Sequence, residues 1–395
     1  MPESRFPPMS MRARYGVWLA ILTIPLLALP AGAVGGGSVL IQDVSLSRGF
    51  FNPSLGQQIN LSFVLREPGN LTVAVLDRDG YVIRHLVRPS RSAKGSRKVA
   101  WDGRDDRSRP VPDEAYSFKI DFAGHGVAET YFPANRPGEE LRVETKYYDR
   151  RSAVLSYQLP KPARVHLQAG TAIVDPRTKA TNGPVLRTLV NREPRPAGAV
   201  VENWNGMDES GTTYVPDMPH FVIGIAASSL PENSIITYGN RKTTFPTWAA
   251  KRGGTPLITP VGGDHSHHQG LTTLDDVAPR LDAKVQNATW SARSRTWSPR
   301  EQTVDVQLGL TGPSAASFAR HPGRLVVYLD ERLVEEVFKP TQGMTLRIST
   351  KGMKPGSHVA ALNWASAYGP VAVQTVPIQI RELQRGPAAA GGGSR

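Results

Sequence analysis

Apolar and polar residues alternate in short runs along most of the chain. Residues 61–65 (LSFVL) and 155–159 (LSYQL) are two such runs. A period of two is typical of a strand with one buried face. The 33 prolines and 37 glycines are scattered between the runs, where they favour tight turns and oppose long helices. The pattern therefore predicts an all-β fold built from many short strands.

The order of these runs repeats between residues 51 and 225. The run that begins at Val82 matches the run at Val185, and Gly95 matches Gly198 at the same offset. The offset then shifts by one residue before the matching segments 111–113 and 215–217, and the second copy carries extra residues between Ala169 and Pro184. Insertions confined to loops are typical of a duplicated domain.

A Trp-x-Gly motif ends one strand in each copy. It reads Trp101-Asp102-Gly103 in the first copy and Trp204-Asn205-Gly206 in the second. We expect both indole rings to be buried between two sheets and the following glycines to turn the chain. Trp101, Gly103, Trp204 and Gly206 are therefore candidate structural residues.

The first copy resembles a known domain over about 75 residues. The matching positions are Phe51-Asn52-Pro53, Ile59 to Leu65, Val73 to Asp77, Gly80, Val82, Leu86, Gly95, Trp101 to Asp105, Val111 and Tyr116. This pattern resembles the immunoglobulin-like domain of the flagellar hook-capping protein. The resemblance implies a β-sandwich with a structural or binding role, and the fold class predicted for the chain is tandem immunoglobulin-like β-sandwiches. It does not imply a hook cap, because a signal peptide stands where that protein has its own characteristic segment.

The patterns divide the chain into consecutive parts. We predict a signal peptide at 1–33, sandwiches at 40–124 and 145–228, an irregular linker at 229–280, a third β-sandwich at 281–383 and a flexible tail at 384–395. The third sandwich is predicted from strand spacing alone, since it lacks the Trp-x-Gly motif.

The beginning of the chain has the pattern of an export signal. Arg5, Arg12 and Arg14 precede an apolar run from Val17 to Leu29, and the small residues 31–33 follow. This order predicts a secretory signal peptide cut after about Ala33, with an uncleaved anchor as the alternative. No other segment could span a bilayer, so we expect a periplasmic, cell-surface or extracellular protein without a transmembrane segment after cleavage.

The net charge and the absence of cysteine limit which partners and which kinds of site the chain could have. The net charge of +13 favours anionic partners such as an acidic surface polymer, whereas no nucleic-acid-binding signature is present. The chain has no cysteine, which excludes disulfides, thiolate metal sites and a lipid-modified cysteine.

Two groups of side chains are candidate metal ligands. Asp264, His265, His267 and His268 could bind zinc, copper or nickel, although a solvated polar loop is the alternative. The aspartates at 77, 79, 102, 105 and 106 could bind calcium, but the spacing of a known calcium loop is absent, and turn formation is the better account of them. We predict no other cofactor.

The sequence contains no catalytic motif, so we predict a non-enzymatic protein. The first hypothesis is a structural or binding module that contacts an envelope or surface protein. The second is a carbohydrate-binding or carbohydrate-active protein, in which Trp248, Trp290, Trp297 or Trp364 stacks on sugar rings. The third is a metal- or redox-linked envelope protein that uses the histidine cluster.

Overall fold

The computed structural model describes residues 40–135, 138–143, 146–174, 181–257, 277–367 and 370–381. The predicted signal peptide, the histidine cluster and the tail from 382 onward lie outside these ranges, as does part of the enlarged loop of the second copy.

The first sandwich has two sheets. One is three-stranded, in the order β1-β3-β6, and the other is six-stranded, in the order β2-β18-β7-β4-β5 with β8 paired to β7. The strands of this sandwich are β1 (Ile41–Leu46), β2 (Phe50–Phe51), β3 (Ile59–Leu65), β4 (Gly69–Leu76), β5 (Val82–Ser92), β6 (Gly95–Trp101), β7 (Ala115–Gly124), β8 (Val127–Tyr131) and β18 (Ile235–Thr237).

The alternation seen in the sequence matches the residues that form the core of this sandwich. Ile59, Leu61, Phe63 and Leu65 of β3 are all buried, while the residues between them are half-buried. They pack with the apolar face of the opposite sheet in one cluster. Burial of this shared face is the main source of stability for a sandwich without disulfides.

Strand β18 follows the second sandwich in sequence but belongs to a sheet of the first sandwich. It lies between β2 and β7, parallel to the former and antiparallel to the latter. Ile235 is fully buried in the core of the first sandwich. The second sandwich is therefore inserted between two strands of the first.

Residues 231–257, which we call the strap, continue along the first sandwich. The amide of Asn233 donates to the Tyr131 hydroxyl at 2.6 Å, the short helix α1 (Phe245–Ala249) follows, and Arg252 pairs with Asp77 and Asp79. This differs from the irregular linker predicted for 229–280. A strand of three residues is too short to show a period, so the pattern missed it.

The second sandwich repeats the arrangement of the first. Its sheets have the orders β10-β11-β16 and β15-β12-β17-β9, and β13 and β14 form a separate hairpin. Its strands are β9 (Glu140–Leu141), β10 (Lys146–Asp149), β11 (Val154–Leu159), β12 (Ala163–Thr171), β13 (Ile173–Val174), β14 (Thr181–Asn182), β15 (Val185–Arg195), β16 (Gly198–Asn203) and β17 (Phe221–Ser229).

Residues 277–381 form a third pair of sheets. A three-stranded sheet, β19-β22-β25, packs on a six-stranded sheet, β20-β21-β27-β26-β23-β24, and helix α2 (Ala315–Arg320) contributes Phe318 to the core. The strands are β19 (Arg280–Val285), β20 (Ala288–Ser291), β21 (Thr296–Pro299), β22 (Thr303–Thr311), β23 (Pro322–Leu329), β24 (Arg332–Phe338), β25 (Thr345–Ser349), β26 (Gly356–Ser366) and β27 (Val371–Ile380). Three 3₁₀ turns complete the elements: Pro53–Leu55, Pro133–Asn135 and Val215–Asp217.

The second and third sandwiches share an apolar contact. Leu186 and Trp204 of the second lie in one buried cluster with Val326 and Tyr328 of the third. The Asn363 side chain accepts a hydrogen bond from the Val185 backbone N–H at 2.9 Å and donates one to the Val185 carbonyl at 2.8 Å. Because this contact buries apolar side chains from both sides, it restricts motion between the two sandwiches. The predicted class, an all-β protein of tandem immunoglobulin-like sandwiches, is confirmed.

Candidate functional site

The Trp-x-Gly motif builds the same turn in both copies. The Trp101 ring is buried against Phe51 and Tyr116, at centroid distances of 5.6 Å and 5.3 Å. Its Nε1 donates to the Arg104 carbonyl at 3.0 Å. Gly103 has a φ of +71°, and a Cβ at this position would lie 2.3 Å from the Pro53 side chain. Both the conformation and the close contact require glycine.

The second copy reproduces these contacts with different neighbours. Trp204 Nε1 donates to the Met207 carbonyl at 2.9 Å, and the ring packs on Tyr148 at 4.9 Å. Gly206 has a φ of +79°, and a Cβ there would lie 2.2 Å from the Tyr214 ring. Trp101 and Gly103 therefore belong to one turn in the first sandwich, and Trp204 and Gly206 belong to the equivalent turn in the second.

The loop after each motif is held by an aspartate. Asp105 accepts the backbone N–H groups of Arg107 and Arg109, at 3.0 Å and 2.8 Å. Asp208 accepts those of Thr212 and Thr213, at 2.9 Å and 3.2 Å. The residue inserted in the second copy falls inside this loop, where it lengthens the turn without moving the strands.

The other aspartates considered for calcium have partners of their own. Asp106 accepts the His85 backbone N–H at 3.0 Å and contacts its ring at 2.7 Å, and Asp102 accepts the Arg104 N–H at 3.1 Å. Across the described residues, no group of three or more His, Asp or Glu side chains is arranged to hold a metal ion. The candidate ligands Asp264, His265, His267 and His268 lie outside those residues.

Buried charges join the first and second sandwiches. Glu114 of the first accepts from Arg78 of the same sandwich at 3.0 Å and from Arg164 of the second at 2.6 Å. Burial acts to raise the pKa of Glu114, but Arg164 and Arg78 outweigh it and hold that pKa below its usual value. The carboxylate therefore stays ionised and links the two sandwiches.

Two further buried groups have shifted pKa values. Burial raises the pKa of Asp77 to about 7, with a contribution from Asp79 and against the charge of Arg252. Burial also lowers the pKa of His166 on β12 to about 4, with the nearby charge of Arg192 acting in the same direction.

A cleft of about 750 Å³ opens between the first two sandwiches, and Phe50, Tyr238, Asn191 and Arg195 are part of its lining. Two of its charged groups have ion-pair partners. Arg195 pairs with Glu202 at 2.6 Å within the second sandwich, whereas Glu114 bridges the two sandwiches as described above.

The four tryptophans considered for sugar stacking have different environments. Trp364 is fully buried, and Trp248 and Trp297 are partly buried against the cores of the first and third sandwiches. Trp290 alone among the four has a large exposed fraction, 44%. Sequence could not separate them, because all four sit near strand-like or turn-like runs.

Both ends of the six-stranded sheet of the third sandwich are open to solvent. The hairpin β20–β21, which carries Trp290, forms one end and β24 forms the other. In the described residues β24 pairs with β23 alone, and it exposes Leu333, Val334 and Phe338, the last at 71%. Edge strands are usually protected from pairing by lysine, proline, other charged residues or bulges; β24 has no lysine or proline, but it carries Arg332, Glu335 and Glu336 and pairs with β23 through a register shift.

Residues 53–125 match the model of the FlgD Ig-like domain family, which confirms the resemblance for the first sandwich. No curated protein matches the sequence at a significant level.

Solved structures with low overall similarity include three multi-domain proteins. The central fibronectin-III array of RIM-binding protein is 10% identical, with a TM-score of 0.18 and coverage of 87% of this chain and 97% of that chain. A 1.5-MDa bacterial ice-binding adhesin is 11% identical, with a TM-score of 0.17 and coverage of 87% and 98%. The α-2-macroglobulin of Escherichia coli is 10% identical, with a TM-score of 0.19 and coverage of 88% and 23%. No helix in the described ranges is long and apolar enough to cross a membrane.

Proposed function

We propose that the protein is an exported, non-catalytic module of the cell envelope or cell surface that binds a protein partner along strand β24. The main observation in support of this proposal is the exposed edge of the third sandwich, with its row of apolar side chains. The expected export rests on the N-terminal pattern of 1–33, and the non-catalytic role is supported by the FlgD Ig-like match.

The edge has the features that strand addition requires. Its outer backbone groups face away from β23, while Val337 packs on the core and anchors the strand. A partner strand could bond to this backbone and cover Leu333, Val334 and Phe338. Glu335 has no ion-pair partner among the described residues, which favours a partner strand that carries a cationic side chain.

The rest of the chain serves to position this edge. Buried charges fix the second sandwich against the first, and an apolar cluster fixes the third against the second. Three sandwiches joined in this way hold a binding edge at a set place relative to the first sandwich. Such an arrangement suits a structural or spacer role more than catalysis.

The test uses a photo-crosslinking residue in place of Val334 in the full-length gene, expressed in its native cell. We expect one discrete adduct with an envelope or surface protein. The matched control places the crosslinker at Leu55, an exposed apolar residue (71%) outside any sheet edge. A Val334→Lys substitution beside a crosslinker at Phe338 should abolish the adduct. No adduct, an adduct with a second copy alone, or equal adducts from Leu55 would overturn the proposal.

Export is tested separately. The N-terminus of the protein recovered outside the cytoplasm should lie after about Ala33, as read by mass spectrometry. Recovery of an intact N-terminus in the membrane fraction would instead support the uncleaved anchor.

A further inference from the structure

The hairpin β20–β21 combines an exposed aromatic ring with unpaired cations. Trp290 and Trp297 are directly opposite each other in the hairpin, with ring centroids 5.0 Å apart. Trp297 packs on the core of the third sandwich, so it holds the exposed Trp290 ring from behind. The exposed Trp290 ring therefore rests against a ring that is itself packed on the core.

The hairpin itself carries only cationic charge. Residues 288–300 contain Arg293, Arg295 and Arg300 and no acidic residue, and the first acidic residue after it is Glu301. Arg295 reaches toward the Ser210 carbonyl at 3.4 Å, which ties the hairpin to the second sandwich. Arg293 and Arg300 are exposed, and no carboxylate in the described part of the chain pairs with them.

We infer that this hairpin binds an acidic polysaccharide, by stacking of a sugar ring on Trp290 and pairing of its carboxylates with Arg293 and Arg300. An indole face attracts the C–H groups of a pyranose ring, and a guanidinium fork fits a carboxylate in a bidentate fashion. Uronic acids carry both features in one residue. This ligand is distinct from the protein partner proposed for β24, and the two sites are at opposite ends of one sheet.

Two other anionic ligands fit the hairpin less well. Single-stranded nucleic acid is bound by successive aromatic side chains along a cationic groove, whereas this hairpin exposes one ring. A membrane surface is bound by an apolar face, and the residues beside Trp290 are small or polar: Thr289, Ser291 and Ala292.

The experiment titrates the purified full-length mature protein with a polyuronate oligosaccharide and follows binding by calorimetry. The same titration is run with a neutral glucan of equal length, single-stranded DNA and phosphatidylglycerol vesicles. We expect saturable binding of the polyuronate that weakens with added salt, and no comparable binding of the other three. Equal binding of DNA or vesicles would show that the site attracts polyanions in general and would overturn the inference. Equal binding of the neutral glucan would also overturn it.

Variants assign the site. Trp290→Ala should weaken polyuronate binding by on the order of 10-fold or more, and Trp290→Phe by less. Arg293→Gln combined with Arg300→Gln should weaken it by a similar factor and lower its salt dependence. The matched controls are Tyr147→Ala, an exposed aromatic of the second sandwich, and Arg91→Gln, an exposed arginine of the first. Both should bind as the parent does, and unchanged binding of the Trp290 and arginine variants would overturn the inference.

Discussion

Arg164 and Glu114 belong to different sandwiches and lie fifty residues apart in sequence, yet they form a buried ion pair at 2.6 Å. Their side chains are 6% and 3% exposed. Arg78 completes the arrangement from the other side of the carboxylate. One anion therefore lies between two cations at the junction of the first two sandwiches.

Glu114→Gln should be strongly destabilising, because it removes the carboxylate that two buried guanidinium groups share. We expect a loss of about 3–5 kcal/mol in the free energy of unfolding, measured by urea denaturation. The control is Glu139→Gln, since Glu139 pairs with Lys161 at the surface, where both side chains are more than half exposed. That change should cost less than about 1 kcal/mol. Equal losses in the two variants would contradict a structural role for the buried anion.

Gly103→Ala should destabilise far more than Gly56→Ala. The two glycines have nearly the same φ, +71° and +70°, but a Cβ at Gly56 meets open space while a Cβ at Gly103 meets Pro53. The conformational term is about 1 kcal/mol in both, and the clash adds about 1–3 kcal/mol at Gly103. Thermal unfolding of both variants checks the difference, and similar melting temperatures would show that the turn can relax around the added methyl group.

Asp77→Asn should change how stability depends on pH. The folded-state pKa of Asp77, about 7, lies above the ordinary value of 3.8 for an aspartate, so the folded protein binds this proton more tightly than the unfolded chain does. The contribution of Asp77 to stability is thus present at low pH and is lost as pH rises through about 7. The variant should lack this loss when unfolding is measured between about pH 4 and pH 8. Asp43→Asn, at an exposed carboxylate of the same sandwich, should keep the parent profile.

His166→Gln should act in the opposite direction. The folded-state pKa of His166, about 4, lies below the ordinary value of 6.5 for a histidine, so the unfolded chain binds this proton more tightly than the folded protein does. Stability from the neutral imidazole is therefore present above about pH 6.5 and is lost as pH falls toward 4. The variant should be less sensitive to acid over this window in the same assay. His125→Gln serves as the control because His125 is exposed, and an identical effect from it would disprove the assignment.

Ile235→Ala should destabilise the first sandwich although the residue follows the second. Ile235 is fully buried, and truncation of a buried isoleucine costs about 2–5 kcal/mol. Hydrogen exchange should report the loss on β7, which pairs with β18. Ile173→Ala, at a residue 40% exposed, provides the comparison. Unchanged protection of β7 in the Ile235 variant would mean that the strap is dispensable.

Much of the fold could be predicted from alternation and the repeat, because both record which face of a strand is buried. Strands that contain Phe63 or Leu155 follow this rule closely. The strap escaped it, since Ile235 to Thr237 gives too few positions for a period and its partners Phe50 and Tyr116 are distant in sequence.

The candidate sites were less predictable for a related reason. Trp290 and Trp364 occupy similar strand patterns, but one lies at a sheet edge and the other in a core. Whether a residue lies at the edge of a sheet or in a core depends on which strands pair. That pairing depends on contacts between residues far apart in the chain. The same holds for β24, whose apolar residues are exposed because, within the described ranges, no strand pairs with its outer edge.

The strap also has a consequence for the order of synthesis and export. A chain that leaves the ribosome or crosses a membrane from its N-terminus presents β2 and β7 well before β18. The first sandwich must then wait, with the place between β2 and β7 unfilled, until the entire second sandwich has emerged. A pause or truncation inside residues 139–230 would leave two incomplete sandwiches rather than one, which makes the first 257 residues a single unit for biogenesis.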